Sequence, residues 1–347
     1  DSLLYARGFG WADKERGIRM EPNMLMRFAS VSKLITAVGI MKLQEMKKLR
    51  MNEKVFGPKG ILNDTTYNNG IKDQSYYNIT VEQLLRHQAG FNNYAGDPVS
   101  STRYIMMQNH LTTPPDHKTL LKILLKRHLG YTPGEGKCYS NLGYIILSMI
   151  IEKKSGMKYE NFMKKYVLQP AGCYDMHIAG TYYKDRRPNE TKYYMHQGSI
   201  PVYEYNNSGR MVEKCYGDTD LPRLSGAGAW CGSAAELSRL IASIDGQPHV
   251  KDILSQKSIQ FMTTEQPDHQ YSIGWNYTPK SNGPWIRTGS LAGTSAIVLK
   301  YPDGQCWILI TNTSTWKGHG FSNDTVAFFE KLRKQFMADM PKKDLFI

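Results

Sequence analysis

A hydroxyl, an amine one helical turn away, a phenol and a guanidinium are the side chains in this sequence that could carry acyl-transfer chemistry. Ser30-Val31-Ser32-Lys33 comes first. Residues i and i+3 of a helix share a face, so the Lys33 amine can sit beside the Ser30 hydroxyl. A serine hydroxyl is a weak nucleophile until a neighbouring base takes its proton. A lysine can be that base once burial and nearby positive charge lower its pKa. A helix N-terminus also aims free N–H groups at developing negative charge. The spacing alone is common, because Ser155…Lys158 and Ser314…Lys317 repeat it. Only Ser30, behind Phe28-Ala29, opens a long apolar-periodic segment. The competing account is that Ser30 merely caps its helix.

Tyr139-Ser140-Asn141 is the second candidate. A phenol near a lysine exists partly as phenolate and can pass protons. The Asn141 amide can hydrogen-bond both Lys33 and a substrate amide. Tyr67, Tyr76, Tyr159 and Tyr205 also precede an asparagine by two residues, but only Tyr139 follows a Pro133-Gly134-Glu135-Gly136 loop just before a helix. Arg287-Thr288-Gly289 is the third, expected on or beside an edge strand. Arginine pairs with carboxylates bidentately, so Arg287 and Thr288 could hold a substrate carboxylate. Gly289 would let substrate approach the backbone. The Ser290 N–H could complete an oxyanion hole with that of Ser30. Taken singly, these are a turn tyrosine and a surface arginine; in this order they make a catalytic set.

The elements that must position these groups follow from periodicity and turn chemistry. Residues 3–12 are expected as a strand. Leu34, Ile35, Val38 and Met41 form an apolar stripe, extended by Leu43 and Met46 past Lys42, at helical spacing. Thr80 caps VEQLLRH, which ends by Gly90. Residues 118–129 are helical, LGYIILSMIIEKKSG is a helix stopped by Gly156, YENFMKKYVLQP is one stopped at Pro170, and 234–245 is another. SIGWNY is expected as a strand. TSAIVLKY and QCWILITN make a hairpin around Pro302-Asp303-Gly304. A last helix covers 322–337. Residues 56–79, 92–117 and 175–222 lack strong periodicity. Strands at both ends with helices between predict an α+β class. The expected sheet is antiparallel, built from both chain ends and flanked by helices. One domain would span 1–347, with a sheet subdomain at about 1–50 and 223–347, a mainly helical one at about 51–222, and the active site at their junction.

FASVSK, TVEQLLRHQAGF, TPGEGKCYSNLGYIILSMIIEKKSG, SIGW and RTGSLAGTSAIVLKYPDG, in this order, resemble the class C β-lactamase-related family. That family holds β-lactamases, penicillin-binding proteins, D-Ala-D-Ala carboxypeptidases, D-aminopeptidases and esterases. Its Ser-x-x-Lys, polar second element and basic-Thr-Gly third element are a known signature. The likeness covers roughly 5–335 and is most specific over 133–156. It implies a β-lactamase/transpeptidase-like fold and two-step acyl transfer, with Ser30 as nucleophile and Lys33 and Tyr139 handling the proton. It further implies that Asn141, Arg287, Thr288, Gly289 and Ser290 bind substrate, without metal or cofactor. The implied substrates are β-lactams or D-Ala-D-Ala-like peptides. An esterase or D-aminopeptidase with little β-lactam turnover is the first alternative, and a non-catalytic penicillin-binding sensor the second. The chain departs from the family in two places. Arg287 stands where relatives often have Lys or His; arginine does not titrate, so it should anchor charge only. Relatives also carry a helix and a first strand ahead of the segment matching LLYARGFG.

Bulk composition is compatible with this. The 347 residues are 41% hydrophobic and 22% charged, ordinary for a globular chain. The formal net charge of +13 raises nucleic acid as a partner, but the basic residues are scattered. A basic, solvated surface favouring an anionic substrate or cell envelope is the better account. No run of 18 apolar residues exists, so no membrane span is expected. An extracytoplasmic, periplasmic-type location is expected, its leader removed from a chain that opens with DSLLYARGFGW. There is no GxSxG, HExxH or Walker loop. The five cysteines, at 138, 173, 215, 231 and 306, show no CxxC and no zinc-type spacing. An odd count leaves at least one thiol free, and a Cys215–Cys231 bridge stays open.

Ser30→Ala should abolish labelling by a fluorophosphonate while leaving the fold intact. Label that persists, or that maps to Ser155 or Ser314, would contradict the assignment of the nucleophile.

Overall fold

Local signals set the helix ends. Thr80 and Gln83 form a reciprocal capping box on α3 (Val81–Leu85). The Ser140 hydroxyl accepts from the Gly143 N–H to open α6 (Asn141–Ser155), and Gly156, at φ +72°, closes it. The computed structural model describes residues 2–93, 96–265, 267, 271–280, 282–318, 320–336 and 344–345. The chain starts with a short hairpin of β1 (Trp11–Asp13) and β2 (Ile18–Arg19), then β3 (Met26–Arg27). One 3-10 turn, Ala29–Val31, leads into α1 (Ser32–Glu45). The mainly helical stretch holds α2 (Thr65–Asn68), α3, α4 (Thr102–Gln108), α5 (His117–Leu124), α6 and α7 (Tyr159–Met163), the last continuing into a π-turn at Lys164–Leu168. Strand β4 (His177–Ile178) and the hairpin β5 (Val202–Tyr203) with β6 (Met211–Val212) follow. Then come α8 (Leu221–Gly228), β7 (Trp230–Gly232), α9 (Ala234–Ala242) and α10 (Gln256–Thr263). Strands β8 (Trp285–Leu291), β9 (Thr294–Lys300) and β10 (Cys306–Thr311) and helix α11 (Gly320–Phe336) end the described fold.

Helix α1 is buried on nearly every side, as a helix without a polar face must be. Helices α6 and α8 pack on it. The main sheet is antiparallel in the order β10-β9-β8, so β8 is an edge strand, with Arg287 opposite Val298 and Gly289 opposite Ala296. Every residue of β9 is buried, which requires cover on both faces. Ile297 and Leu299 join Tyr301 and Phe329 in the layer beneath α11. Ala296 and Val298 join the large core built around α1. That core runs without a break from Leu25 to Ile310, so one apolar interior joins the helical stretch to the sheet. A smaller sheet, β3-β7-β4, carries the segment that leads to Ser30.

The class is α+β, as the sequence predicts, but three elements differ. First, among the described residues the main sheet is made only of β8, β9 and β10, not of strands from both chain ends. Residues 3–9 form no ladder, and β1 pairs with β2 alone. Gly10, at φ +74°, bends the chain there, and Tyr5 and Phe9 are 55% and 65% exposed, so the segment has no apolar face to bury. The chain ends still meet: the Leu3 N–H donates to Asp344 and the Leu345 N–H to the Leu3 carbonyl. Second, SIGWNY is a turn that pairs with β8 only at the isolated Tyr277–Ile286 bridge, although Trp275 and Asn276 also contact that strand. Gly274 has φ +80° and sits against α1, where a Cβ would lie 3.0 Å from the Leu34 Cα. Third, α8 and α10 carry no clear signal in the sequence. At Gly226 of α8 a Cβ would meet the Tyr144 carbonyl oxygen at 2.9 Å and the Thr36 hydroxyl at 3.0 Å. Gly226 therefore serves a close crossing, just after a kink at Ser225 (φ +25°), although a glycine-dense run resembles a loop. All five cysteines are free thiols, which removes the Cys215–Cys231 bridge. No helix among the described residues is long and apolar enough to cross a membrane.

Candidate active site

Ser30 sits in the 3-10 turn just ahead of α1, and the backbone there is strained. Ala29 is fully buried at φ +49°, a left-handed conformation that costs a non-glycine residue on the order of 1 kcal/mol or more. The turn is held because the Phe28 N–H bonds the Trp230 carbonyl at 2.8 Å and the Val31 N–H bonds the Phe28 carbonyl at 3.1 Å. Ser30 itself stays partly exposed, while Lys33, in the first turn of α1, is completely buried.

The Lys33 Nζ lies 3.2 Å from Ser30 Oγ, 2.6 Å from Asn141 Oδ1 and 2.6 Å from the Ala227 carbonyl, and it also hydrogen-bonds the Tyr139 phenol. Two of these can only accept. Once it has lost its proton, the amine can give its two N–H groups to Asn141 and Ala227 and turn its lone pair to the Ser30 hydroxyl. Burial lowers the Lys33 pKa, and the Arg287 charge adds to this; Tyr139 and Asp97 pull the other way without cancelling it.

Tyr139 is set by its neighbour His87. The Ser140 N–H donates to His87 Nδ1 at 3.0 Å, and the two rings stack with centroids 4.6 Å apart. The His87 carbonyl accepts from the Cys138 N–H and from the Tyr131 hydroxyl, which ties the Pro133–Gly136 loop down. Burial, together with the charges of Lys33, Arg287 and Lys137, holds His87 well below its ordinary pKa, so it stays neutral. Lys33 Nζ lies 4.8 Å from the Tyr139 ring centre, and Arg287 donates to the phenol oxygen at 3.3 Å. Burial pushes the Tyr139 phenol up. The charges of Lys33 and Arg287, with hydrogen bonds from Lys33 and Ser30, outweigh it and bring the pKa down to about 8.

Arg287 is not where a substrate anchor would be. It is 1% exposed, and its Nε, at 2.9 Å, and a terminal N–H both donate to the Ser30 carbonyl. Strand alternation explains this: Arg287 and Gly289 face inward from β8, while Thr288 and Ser290 face out. Gly289 likewise faces protein rather than substrate, since a Cβ there would fall 2.4 Å from the Phe28 carbonyl oxygen and 2.8 Å from the Ser30 nitrogen. Only glycine lets β8 lie against the nucleophile turn. The Thr288 N–H donates to Asn276 Oδ1 at 2.8 Å, and Ser290 is exposed on the edge strand.

The structure thus brings Ser30, Lys33, Tyr139, Asn141 and Arg287 into one connected cluster, with Gly289 packed behind it. Sequence reasoning missed several supports. Asp97 accepts from Asn141 Nδ2 and, through Oδ1, from the Val99 N–H at 2.9 Å. Asn93 Nδ2 donates to the Tyr139 carbonyl at 2.7 Å. Both lie in a stretch without periodicity, where only the turn residues Asp97-Pro98 offered a signal. Ala227 contributes a carbonyl, which no side-chain pattern could show.

The chain belongs to the β-lactamase family, whose model, described as Beta-lactamase, matches residues 1–329. It is 25% identical over 316 residues to penicillin-binding protein 4* of Bacillus subtilis (strain 168), an alignment covering 87% of this chain and 63% of that one. The chain therefore spans less than two thirds of that relative. A penicillin-binding protein from Bacillus halodurans superposes with TM-score 0.70 at 18% identity, covering 93% of this chain and 91% of that one. The D-amino acid amidase of Ochrobactrum anthropi SV3, solved with L-phenylalanine amide, also gives 0.70, at 19% identity over 94% and 88% of the two chains. These likenesses confirm the β-lactamase/transpeptidase fold, and family membership supports serine acyl-hydrolase chemistry.

Arg287→Gln removes one of the two cations that depress Tyr139, so the pH midpoint of Ser30 acylation should move up from about 8. Arg287→Lys should hold the midpoint closer, because the charge survives. Equal losses on neutral esters and on carboxylate-bearing substrates are expected for Arg287→Gln. A loss confined to carboxylate-bearing substrates would return Arg287 to the role of anchor.

Proposed function

We propose that this protein hydrolyses amide or ester bonds through an acyl-enzyme at Ser30, with Lys33 and Tyr139 as the proton-handling pair. The observation that carries this is a fully buried lysine amine 3.2 Å from the Ser30 hydroxyl, beside a phenol brought down to about 8. Ser30 Oγ attacks the carbonyl carbon as its proton passes to Lys33 and Tyr139. The tetrahedral oxyanion lies against the Ser30 and Ser290 N–H groups. The held proton goes to the departing amine or alcohol, leaving an acyl-Ser30 ester. Water then attacks the ester, giving its proton to the same pair, and Ser30 is regenerated. Asn141 orients Lys33 and offers its amide to the acyl side chain of the substrate.

For the substrate, Arg287 decides between readings. With its guanidinium turned to the Ser30 carbonyl and Tyr139, it has no face for a substrate carboxylate. This favours amides and esters that need no carboxylate, of the D-aminoacyl type named for the structurally similar amidase. A β-lactam or D-Ala-D-Ala-like substrate remains the second reading, favoured by family membership. We place the activity outside the cytoplasm, at the cell envelope, where peptides and β-lactams of this kind occur.

Turnover of a D-amino acid amide, a neutral ester, a carboxylate-bearing depsipeptide and a penicillin, with intact-mass detection of the acyl-enzyme, tests both points. The amide and ester should turn over fastest, with the rate rising with pH, because the phenol accepts a proton only once it has lost its own. Tyr139→Phe should lower acylation by about 100-fold or more and remove that rise. Undiminished acylation in Tyr139→Phe would overturn the mechanism, and turnover of carboxylate-bearing substrates alone would overturn the substrate reading.

A further inference from the structure

A second chemical cluster lies close behind the nucleophile segment. In the sheet β3-β7-β4, Arg27 stands opposite Cys231 and Cys231 opposite His177, so the three share one row and one face. The chain at Glu190 pairs with Leu25 and lays its carboxylate over that row. His177, Glu190 and Cys231 are 4%, 5% and 0% exposed, and their donor atoms all lie within 4.8 Å of one another.

His177 has the geometry of a ligand waiting for a metal. Its Nδ1 donates to the Asp175 carbonyl at 2.9 Å, so in the neutral ring the lone pair is on Nε2. That Nε2 is buried, makes no hydrogen bond shorter than 3.5 Å, and has the Glu190 Oε2 as its neighbour at 3.6 Å, a pair that a protonated ring would make ionic. A backbone carbonyl fixing the outer nitrogen is how metal-ligating histidines are held. Glu190 is held as well: its Oε1 accepts from the Tyr193 hydroxyl at 2.8 Å and its Oε2 from the Arg187 N–H at 3.2 Å.

We propose that His177 Nε2, Glu190 Oε2 and Cys231 Sγ form a buried structural site for one divalent cation of the zinc type. Imidazole, thiolate and carboxylate are zinc's donors, at about 2.0–2.3 Å, which sets donors roughly 3.3–3.8 Å apart in a tetrahedron. The His177–Glu190 spacing of 3.6 Å already falls in that range, and the Cys231 thiol, within 4.8 Å of both, has to draw in by at most about 1 Å. The Tyr193 hydroxyl, 3.9 Å from Cys231 Sγ, borders the fourth position. Binding replaces the Cys231 S–H bond by a sulfur–metal bond and releases the proton to solvent. The thiolate and the Glu190 carboxylate then balance the two charges of the metal. Arg27 is the neighbouring cation, but its guanidinium is turned to the carbonyls of Cys215, Gly180 and Thr181 and lies over the Tyr193 ring. The metal would tie β4 and the Glu190 segment to β7, the strand that pairs with β3 just ahead of Ser30.

The test uses the full chain and does not depend on the proposed hydrolase activity. Protein from zinc-supplemented culture is analysed for metal by plasma mass spectrometry, then stripped with a chelator and refilled with Co²⁺. About one zinc per chain is expected, and cobalt should show a thiolate-to-metal charge-transfer band. Cys231→Ser and His177→Gln should each lose bound metal at least ten-fold, while Cys306→Ser keeps it. Chelation should lower the melting temperature of the wild type and leave that of Cys231→Ser unchanged. Where Cys231→Ser fails to fold, judged by loss of a cooperative melting transition, Glu190→Gln and the chelation of wild type decide. Less than a tenth of an equivalent of zinc, a cobalt spectrum without the thiolate band, or wild-type metal content in the variants would overturn the site.

Discussion

A lysine amine held wholly out of water is the constraint on which the active site turns. An ammonium taken into a protein interior carries a penalty of several kcal/mol unless its hydrogen bonds are supplied. Lys33 has its partners from three separate segments: the Ser30 turn, Asn141 at the start of α6 and the Ala227 carbonyl near the end of α8. The close crossing of α8 on α1 and α6, which leaves no room for a side chain at Gly226, is what brings that carbonyl in. The same burial that disfavours the charge makes the amine available as a base.

Arg287 adds a second buried cation to the cluster, and Tyr139 faces both. Two neighbouring positive charges repel unless a negative charge stands between them, and a phenolate at Tyr139 meets that need. The Tyr139 phenol and the two cations thus stabilise one another. Arg287 also fixes the Ser30 carbonyl, so the nucleophile turn, strained at Ala29, is clamped from β8 on one side and from Trp230 on the other. In this arrangement the basic residue of the third motif binds the protein's own groups.

Much of this was legible in the sequence where the signal is local or repetitive. The α1 helix, the Thr80 cap, the Gly156 stop and the Pro302–Gly304 hairpin turn all form as expected, although α1 is buried all round rather than along one stripe. Ser30, Lys33, Tyr139 and Asn141 were readable because side-chain type and order carry them. Arg287 was identified correctly as a residue but not in its orientation, since one-residue alternation along β8 decides which way it faces. Helix α8 was hidden because its Gly226 serves packing, and Asp97 and Asn93 because loops have no period. The His177, Glu190 and Cys231 row was invisible because strand register, not spacing along the chain, joins it.

The central claim is that Tyr139 titrates as a phenol held between two buried cations. A titration of ¹³C-labelled tyrosine by NMR, with the Tyr139 signal assigned from its loss in Tyr139→Phe, measures this directly. The account predicts a midpoint near 8. A midpoint at or above the ordinary phenol value of about 10 would contradict it.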